Sequence, residues 1–151
     1  MLRTFSKAHG LAGIRVGYCF GPAELLREMS RLQTTYSVSG VAQAAALAAL
    51  DDEVHVKRAV ENNALQANFI KHKIEELELR AVETWANFVY FEVGEEASVV
   101  TERLQREGIF VRPLGAWGAP NGIRVTIGTP EQNQLFARAL QKVLDRTPSR
   151  Q

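Results

Sequence analysis

TFSKAHGLAGIRVGY, residues 4–18, sets one lysine, Lys7, between a short apolar run and a glycine-rich turn. One arginine, Arg15, follows eight residues later inside a second apolar run. A guanidinium with apolar neighbours on both sides needs an anionic partner. Ser6 precedes the lysine, and the turn Gly10, Leu11, Ala12, Gly13 brings backbone amides close by. A serine hydroxyl, an arginine fork and turn amides together form a cradle for a phosphate. A lysine beside such a cradle, desolvated and near another cation, is a nucleophilic amine of the kind that forms Schiff bases. Pyridoxal phosphate is the cofactor that carries both an aldehyde and a phosphate.

Outward from this stretch, residues 2–6 and 13–20 read as two short strands around the turn, the second closed by Gly21 and Pro22. Pro22 opens a helix, AELLREMSRL, with Leu25, Leu26, Met29 and Leu32 on one face. Ser37 and Ser39 are cap-type residues before an alanine-rich helix. Alanines all round that helix predict close packing on several neighbours. From Asp51 to about Leu77 the pattern is one long amphipathic helix, with Val54, Val60, Ala64, Leu65, Phe69, Ile70, Ile74 and Leu77 in its stripe. Its length suits a helix that joins two domains.

The texture then changes. LRAVE and NFVYFEV read as strands, VVTERLQREG as an amphipathic helix ending at Gly108, IFVRPL as a strand and GAWGAPNG as a glycine-rich loop. IRVTIGT is a further strand, PEQNQLFARALQKVLDR a terminal helix entered at Pro130, and TPSRQ a frayed tail. The second half is thus a compact α+β unit, whereas the first half has little core of its own.

Composition excludes several classes. A chain of 151 residues can bury a real core, and its 46% apolar and 23% charged residues are ordinary for a globular protein. Eighteen Lys and Arg against 17 Asp and Glu leave a net charge of +1, with no long-range pull toward nucleic acid or an anionic membrane. No apolar run approaches the ~18 residues that cross a bilayer. The single cysteine, Cys19, cannot form an internal disulfide, so a reducing cytoplasm is the expected compartment. Cys19 and His9 read as packing residues.

The Lys7 stretch resembles the cofactor-lysine segment of the fold-type I aminotransferases, within them the histidinol-phosphate aminotransferase branch. That pattern is a serine and lysine, a Gly-Leu-Ala-Gly turn, and an arginine eight residues past the lysine, met here by Ser6, Lys7, residues 10–13 and Arg15. The resemblance implies that Lys7 binds pyridoxal 5'-phosphate covalently while Ser6 and Arg15 hold its phosphate. GIRVTIGTPEQN resembles the family's strand whose arginine takes the substrate carboxylate, which makes Arg124 the substrate-binding residue. Arg112, in FVRPL, resembles a second arginine that reaches a substrate phosphate. WANFVYFE, with Asn87, resembles the strand entering the family's small domain. Thr35, Tyr36 and Ser37 depart from the branch's Pro-aromatic-Asn, and His9 stands where the family places an aromatic.

The implied fold is α/β: an α+β small domain plus the remnant of a transferase large domain, with a long interdomain helix and a C-terminal mixed sheet covered by helices. Residues 1–50 would be the large-domain remnant, 51–77 the interdomain helix and 78–151 the small domain. The family's pyridine-pairing aspartate, ring-stacking aromatic and first phosphate loop have no counterpart in this sequence, so the chain is expected to be a fragment, inactive in isolation. The implied reaction is transfer of an amino group from histidinol phosphate to 2-oxoglutarate in histidine biosynthesis. The alternatives are an aromatic-amino-acid aminotransferase, a threonine-phosphate decarboxylase, or a non-catalytic remnant acting in oligomerisation or partner binding. The expected partners are small amino acids and 2-oxo acids, with a homodimer or domain-swapped oligomer as the assembly.

Overall fold

The computed structural model describes residues 1–145. The expected tail at 147–151 and the last residue of the expected terminal helix lie outside the described residues. The chain divides into two compact units, Met1–Val60 and the remainder from Glu61, with the division inside one helix. No described helix is long and apolar enough to cross a membrane.

In the first unit, β1 (Leu2–Thr4) and β2 (Gly17–Cys19) form an antiparallel ribbon in which Leu2, Arg3 and Thr4 face Cys19, Tyr18 and Gly17. Both strands are shorter than expected, because residues 12–14 wind into a 3-10 turn instead of extending. Helix α1 (Ala23–Arg31) starts directly after Pro22. Helix α2 (Gly40–Asp51) is capped by Ser39, whose Oγ accepts the Ala42 amide at 3.1 Å. Helix α3 (Glu53–Glu75) is separated from α2 at Asp52, whose carboxylate accepts the His55 amide at 3.0 Å. That cap is why the expected helix begins two residues late.

The first unit buries Phe5, Ala42 and Ala46 but leaves Leu25, Met29, Leu32, Leu47 and Leu50 exposed. The alanine-rich helix is therefore covered on one narrow stripe, not on all sides. The stripe expected along α3 is likewise covered only in part: Val54 is 78% and Leu65 68% exposed, whereas Ala67, Ile70 and Ile74 are buried.

The second unit holds the large hydrophobic core. Four strands, β3 (Arg80–Ala81), β4 (Phe88–Glu92), β5 (Arg112–Leu114) and β6 (Ala119–Thr126), lie in the order β3-β4-β6-β5. The sheet is antiparallel at every junction, not mixed as expected. Helix α4 (Ala97–Arg106) carries the chain from β4 to β5, two places along the sheet, and β6 returns between them. β4 and β5 thus run parallel without being neighbours. Half of the expected glycine-rich loop is strand, since β6 begins at Ala119 and a register shift at Pro113/Leu114 absorbs the turn. Pro113 sits on the edge strand, where its missing N–H costs no ladder bond.

Alternation sorts the two faces. Val89, Phe91, Ile123 and Val125 point into a core completed by Ile70 and Ile74 of α3, Val100 and Leu104 of α4, and Phe136, Leu140 and Val143 of helix α5 (Pro130–Asp145). Phe88, Tyr90 and Glu92 occupy the other, half-covered face of β4. Gly122 is required on that face, because a Cβ there would stand 2.7 Å from the Tyr90 ring. Asn133, the one buried polar side chain among the described residues, secures the exit from β6. Its Oδ1 accepts the Gly128 amide at 3.0 Å, and its Nδ2 donates to the Gly128 carbonyl at 3.1 Å and to Gln66 Oε1 at 2.9 Å.

Candidate functional site

The expected site residues fall into two groups, one in each unit. In the first, the ribbon hands its last pairing to the lysine loop. The Phe5 amide donates to the Val16 carbonyl at 3.3 Å, and the Leu11 amide returns to the Phe5 carbonyl at 2.9 Å. Ser6 follows Phe5 and Arg15 precedes Val16, so each stands one residue beyond this last ribbon bond. Lys7 begins a tight turn in which the Gly10 amide donates to the Lys7 carbonyl at 2.9 Å, with Gly10 at φ +72°, a conformation open to glycine. The backbone therefore brings Ser6, Lys7 and Arg15 to one end of the ribbon.

Two expectations fail here in detail. Arg15 lies outside any strand: it takes the left-handed conformation, φ 61°, between the 3-10 turn and β2, and is exposed. Its Nη1 reaches back to the Ala12 carbonyl at 2.6 Å, which caps the turn. A non-glycine residue held there stores backbone strain of order 1–3 kcal/mol, a feature that clusters at functional positions. Lys7 is solvent-exposed, not desolvated. Among the described residues neither the Lys7 amine nor the Ser6 hydroxyl has a hydrogen-bond or ionic partner. His9 packs its ring 4.8 Å from that of Phe5, and its Nδ1 is buried without a partner.

In the second unit, Arg112 of β5 and Arg124 of β6 are direct register partners, and Tyr90 of β4 is the partner of Arg124 on its other side. Paired positions in an antiparallel sheet share a face, so one row carries all three side chains. Phe110, Val111, Arg112, Arg124 and Thr126 line a cleft of about 260 Å³. Neither arginine is in an ion pair among the described residues. Asn87 sits at the entry to β4, where its carbonyl accepts the Ile127 amide at 3.0 Å. Sequence reading did not single out Phe88 and Tyr90 as neighbours of Arg124. The alternation of NFVYFEV was the available signal, but strand order was needed to use it.

Burial pushes the Tyr90 phenol above its ordinary value, and the Glu92 carboxylate pushes the same way through a 3.0 Å hydrogen bond and its charge, against the opposing pull of Arg80. A raised folded value means that Tyr90 contributes stability in full below its unfolded value of about 10, and that this is lost as pH climbs through the folded value. Tyr90→Phe is therefore expected to soften the alkaline fall in stability above about pH 10. Denaturation midpoints at stepped pH check this, and identical curves for the two proteins would contradict it.

The chain belongs to the class I and II aminotransferases, whose family model matches residues 1–140. Within that class it is 43% identical to the histidinol-phosphate aminotransferase of Haloferax volcanii over 98% of this chain and 40% of that relative. It is 40% identical to the enzyme of the same name from Moorella thermoacetica over 95% of this chain and 37% of the relative. The histidinol-phosphate aminotransferase of Sinorhizobium meliloti, solved with pyridoxal-5'-phosphate, superposes with a TM-score of 0.86 at 31% identity, over 95% of this chain and 40% of that one. The chain thus spans about 40% of the length of the curated relatives it matches.

Proposed function

We propose that this chain is the cofactor-lysine and small-domain part of a pyridoxal-phosphate-dependent aminotransferase that moves an amino group between histidinol phosphate and 2-oxoglutarate. The observation that carries the reading is the pair of opposed, unneutralised arginines on β5 and β6. Histidinol phosphate and 2-oxoglutarate each present an anion near the reacting carbon, a phosphate in one and a carboxylate in the other. Arg124 would take either through its guanidinium fork, and Arg112 would add a second fork for the phosphate. Anchoring that end orients the reacting carbon toward the base.

For the cofactor, the donor set fits: a serine hydroxyl and a lysine amine without partners, and an arginine bonded only through Nη1 to the Ala12 carbonyl, among the described residues. Lys7 would hold the aldehyde end, and Ser6 and Arg15 the phosphate. When bound, pyridoxal phosphate supplies an electron sink for the charge left as the α-proton departs. The Lys7 amine, once free of the cofactor, would take that proton from the α-carbon of the amino donor and, in the second half of the transfer, supply one to the α-carbon of the 2-oxo acid acceptor.

The exposure of Lys7 supports the view that the chain alone is inactive, so the activity is assigned to the intact protein. The exposed Leu25, Met29, Leu32, Leu47 and Leu50 support burial against the rest of the intact protein or a second copy of it; we read that protein as a cytoplasmic homodimer. We read residues 1–50, 51–77 and 78–151 as large-domain remnant, connecting helix and small domain.

Arg124→Gln in the intact protein is expected to lower kcat/KM for both substrates by on the order of 10- to 100-fold, the loss of a charge-assisted hydrogen-bond pair. Arg112→Gln should affect histidinol phosphate more than 2-oxoglutarate. An aromatic-amino-acid aminotransferase would leave Arg112→Gln silent toward its amino donor. Unchanged kinetics in Arg124→Gln would remove the reading.

A further inference from the structure

Arg112 and Arg124 leave one face of the sheet from directly opposed positions on β5 and β6. Like charges placed so repel, and the ordinary remedy is a carboxylate between them. Among the described residues no carboxylate pairs with either. Each guanidinium instead lies over an aromatic ring: Arg124 at 5.0 Å from the centre of Phe88, Arg112 at 5.7 Å from that of Trp117. Phe88 is the diagonal neighbour of Arg124, since Tyr90 pairs with Arg124 and Phe88 with Thr126. An aromatic ring reaches across such a diagonal. Trp117 ends the 3-10 turn Gly115–Trp117, directly after β5.

We infer that Phe88 and Trp117 are positioning residues that hold the two arginines in place without neutralising them, so that the pair stays open to an incoming anion. This rests on the reading of Arg112 and Arg124 as the anion-binding pair. An acid at either ring position would restrain its arginine as well, but it would occupy the N–H fork and cancel the charge the ligand needs. A ring attracts the cation through its face and takes up none of the five N–H donors. It also limits the rotamers of a long side chain before binding, so less freedom is lost when the anion arrives. Phe88 matters more than Trp117 because its ring is half-buried whereas Trp117 is exposed, and water weakens the attraction.

The test is binding of inorganic phosphate to the intact protein, saturated with pyridoxal phosphate so that Ser6 and Arg15 are occupied, read by isothermal titration calorimetry. Phe88→Leu keeps the apolar bulk and removes the ring; Phe88→Tyr restores the ring. Phe88→Leu is expected to weaken phosphate binding about fivefold, and Phe88→Tyr to match the parent. Arg124→Gln is the control and should abolish the signal. If Arg124→Gln abolishes it while Phe88→Leu binds like the parent, the positioning role is overturned and the anion site stands. If Phe88→Leu and Phe88→Tyr are weakened alike, packing and not the ring is responsible, and the inference also falls. If Arg124→Gln binds normally, the anion site itself is wrong. Melting curves of both Phe88 variants show whether they are folded, and the Phe88→Tyr comparison decides the question even if Phe88→Leu is less stable.

Discussion

Lys7→Ala in the intact protein is expected to reduce amino-group transfer by at least about a thousandfold, since removing a positioned general base alone costs on the order of 10²–10⁴ in rate. The amine has two proposed duties, holding the cofactor and moving the α-proton, and alanine can perform neither. Charge is not the property that matters. Lys7→Arg keeps the cation but has no amine that can lose its proton in a protein, so it should be nearly as inactive as Lys7→Ala. Steady-state rates for the two variants, compared with Lys73→Ala as an unrelated lysine, check this. Activity retained in Lys7→Arg would mean that Lys7 acts only as a charge.

The second large effect concerns stability. Phe91 is wholly buried, faces Ile123 across β4 and β6, and meets the Phe136 ring edge-on at 6.1 Å. Phe91→Ala removes this contact and leaves a cavity in a core that spans the sheet and three helices, at a cost of about 3–5 kcal/mol. Domains of this size are stable by only about 5–15 kcal/mol, so a substantial part of the second unit's stability depends on one ring. Leu65→Ala, at a position 68% exposed, should change the unfolding free energy by no more than about 0.5 kcal/mol. Urea denaturation of the two variants makes the comparison, and equal shifts would contradict this core.

Much of this molecule can be read from its residues. The Lys7 motif, the helix starts after Pro22 and at Pro130, and the strand pattern around Phe91 all carry their structure locally, through proline geometry, caps and alternation. What could not be read depends on contacts between distant residues. Val54, Val60 and Leu65 continue the apolar stripe of α3, but periodicity says which side of a helix is apolar and not which turns are covered. Arg15 was expected in a strand from its apolar neighbours; its left-handed backbone follows from the 3-10 turn before it. The opposed pair of Arg112 and Arg124 required the β5/β6 register, which the bulge at Pro113/Leu114 shifts off simple counting. The rings beneath the two arginines come from β4 and from the turn after β5, which only the strand order brings close.

The most direct test of the central claim is to incubate the intact protein with pyridoxal phosphate, reduce with borohydride, and map the modified peptide by mass spectrometry. A single pyridoxyl adduct is expected, on Lys7, and it should disappear in Lys7→Ala. An adduct on another lysine, or labelling spread over several lysines and unchanged in Lys7→Ala, would contradict it.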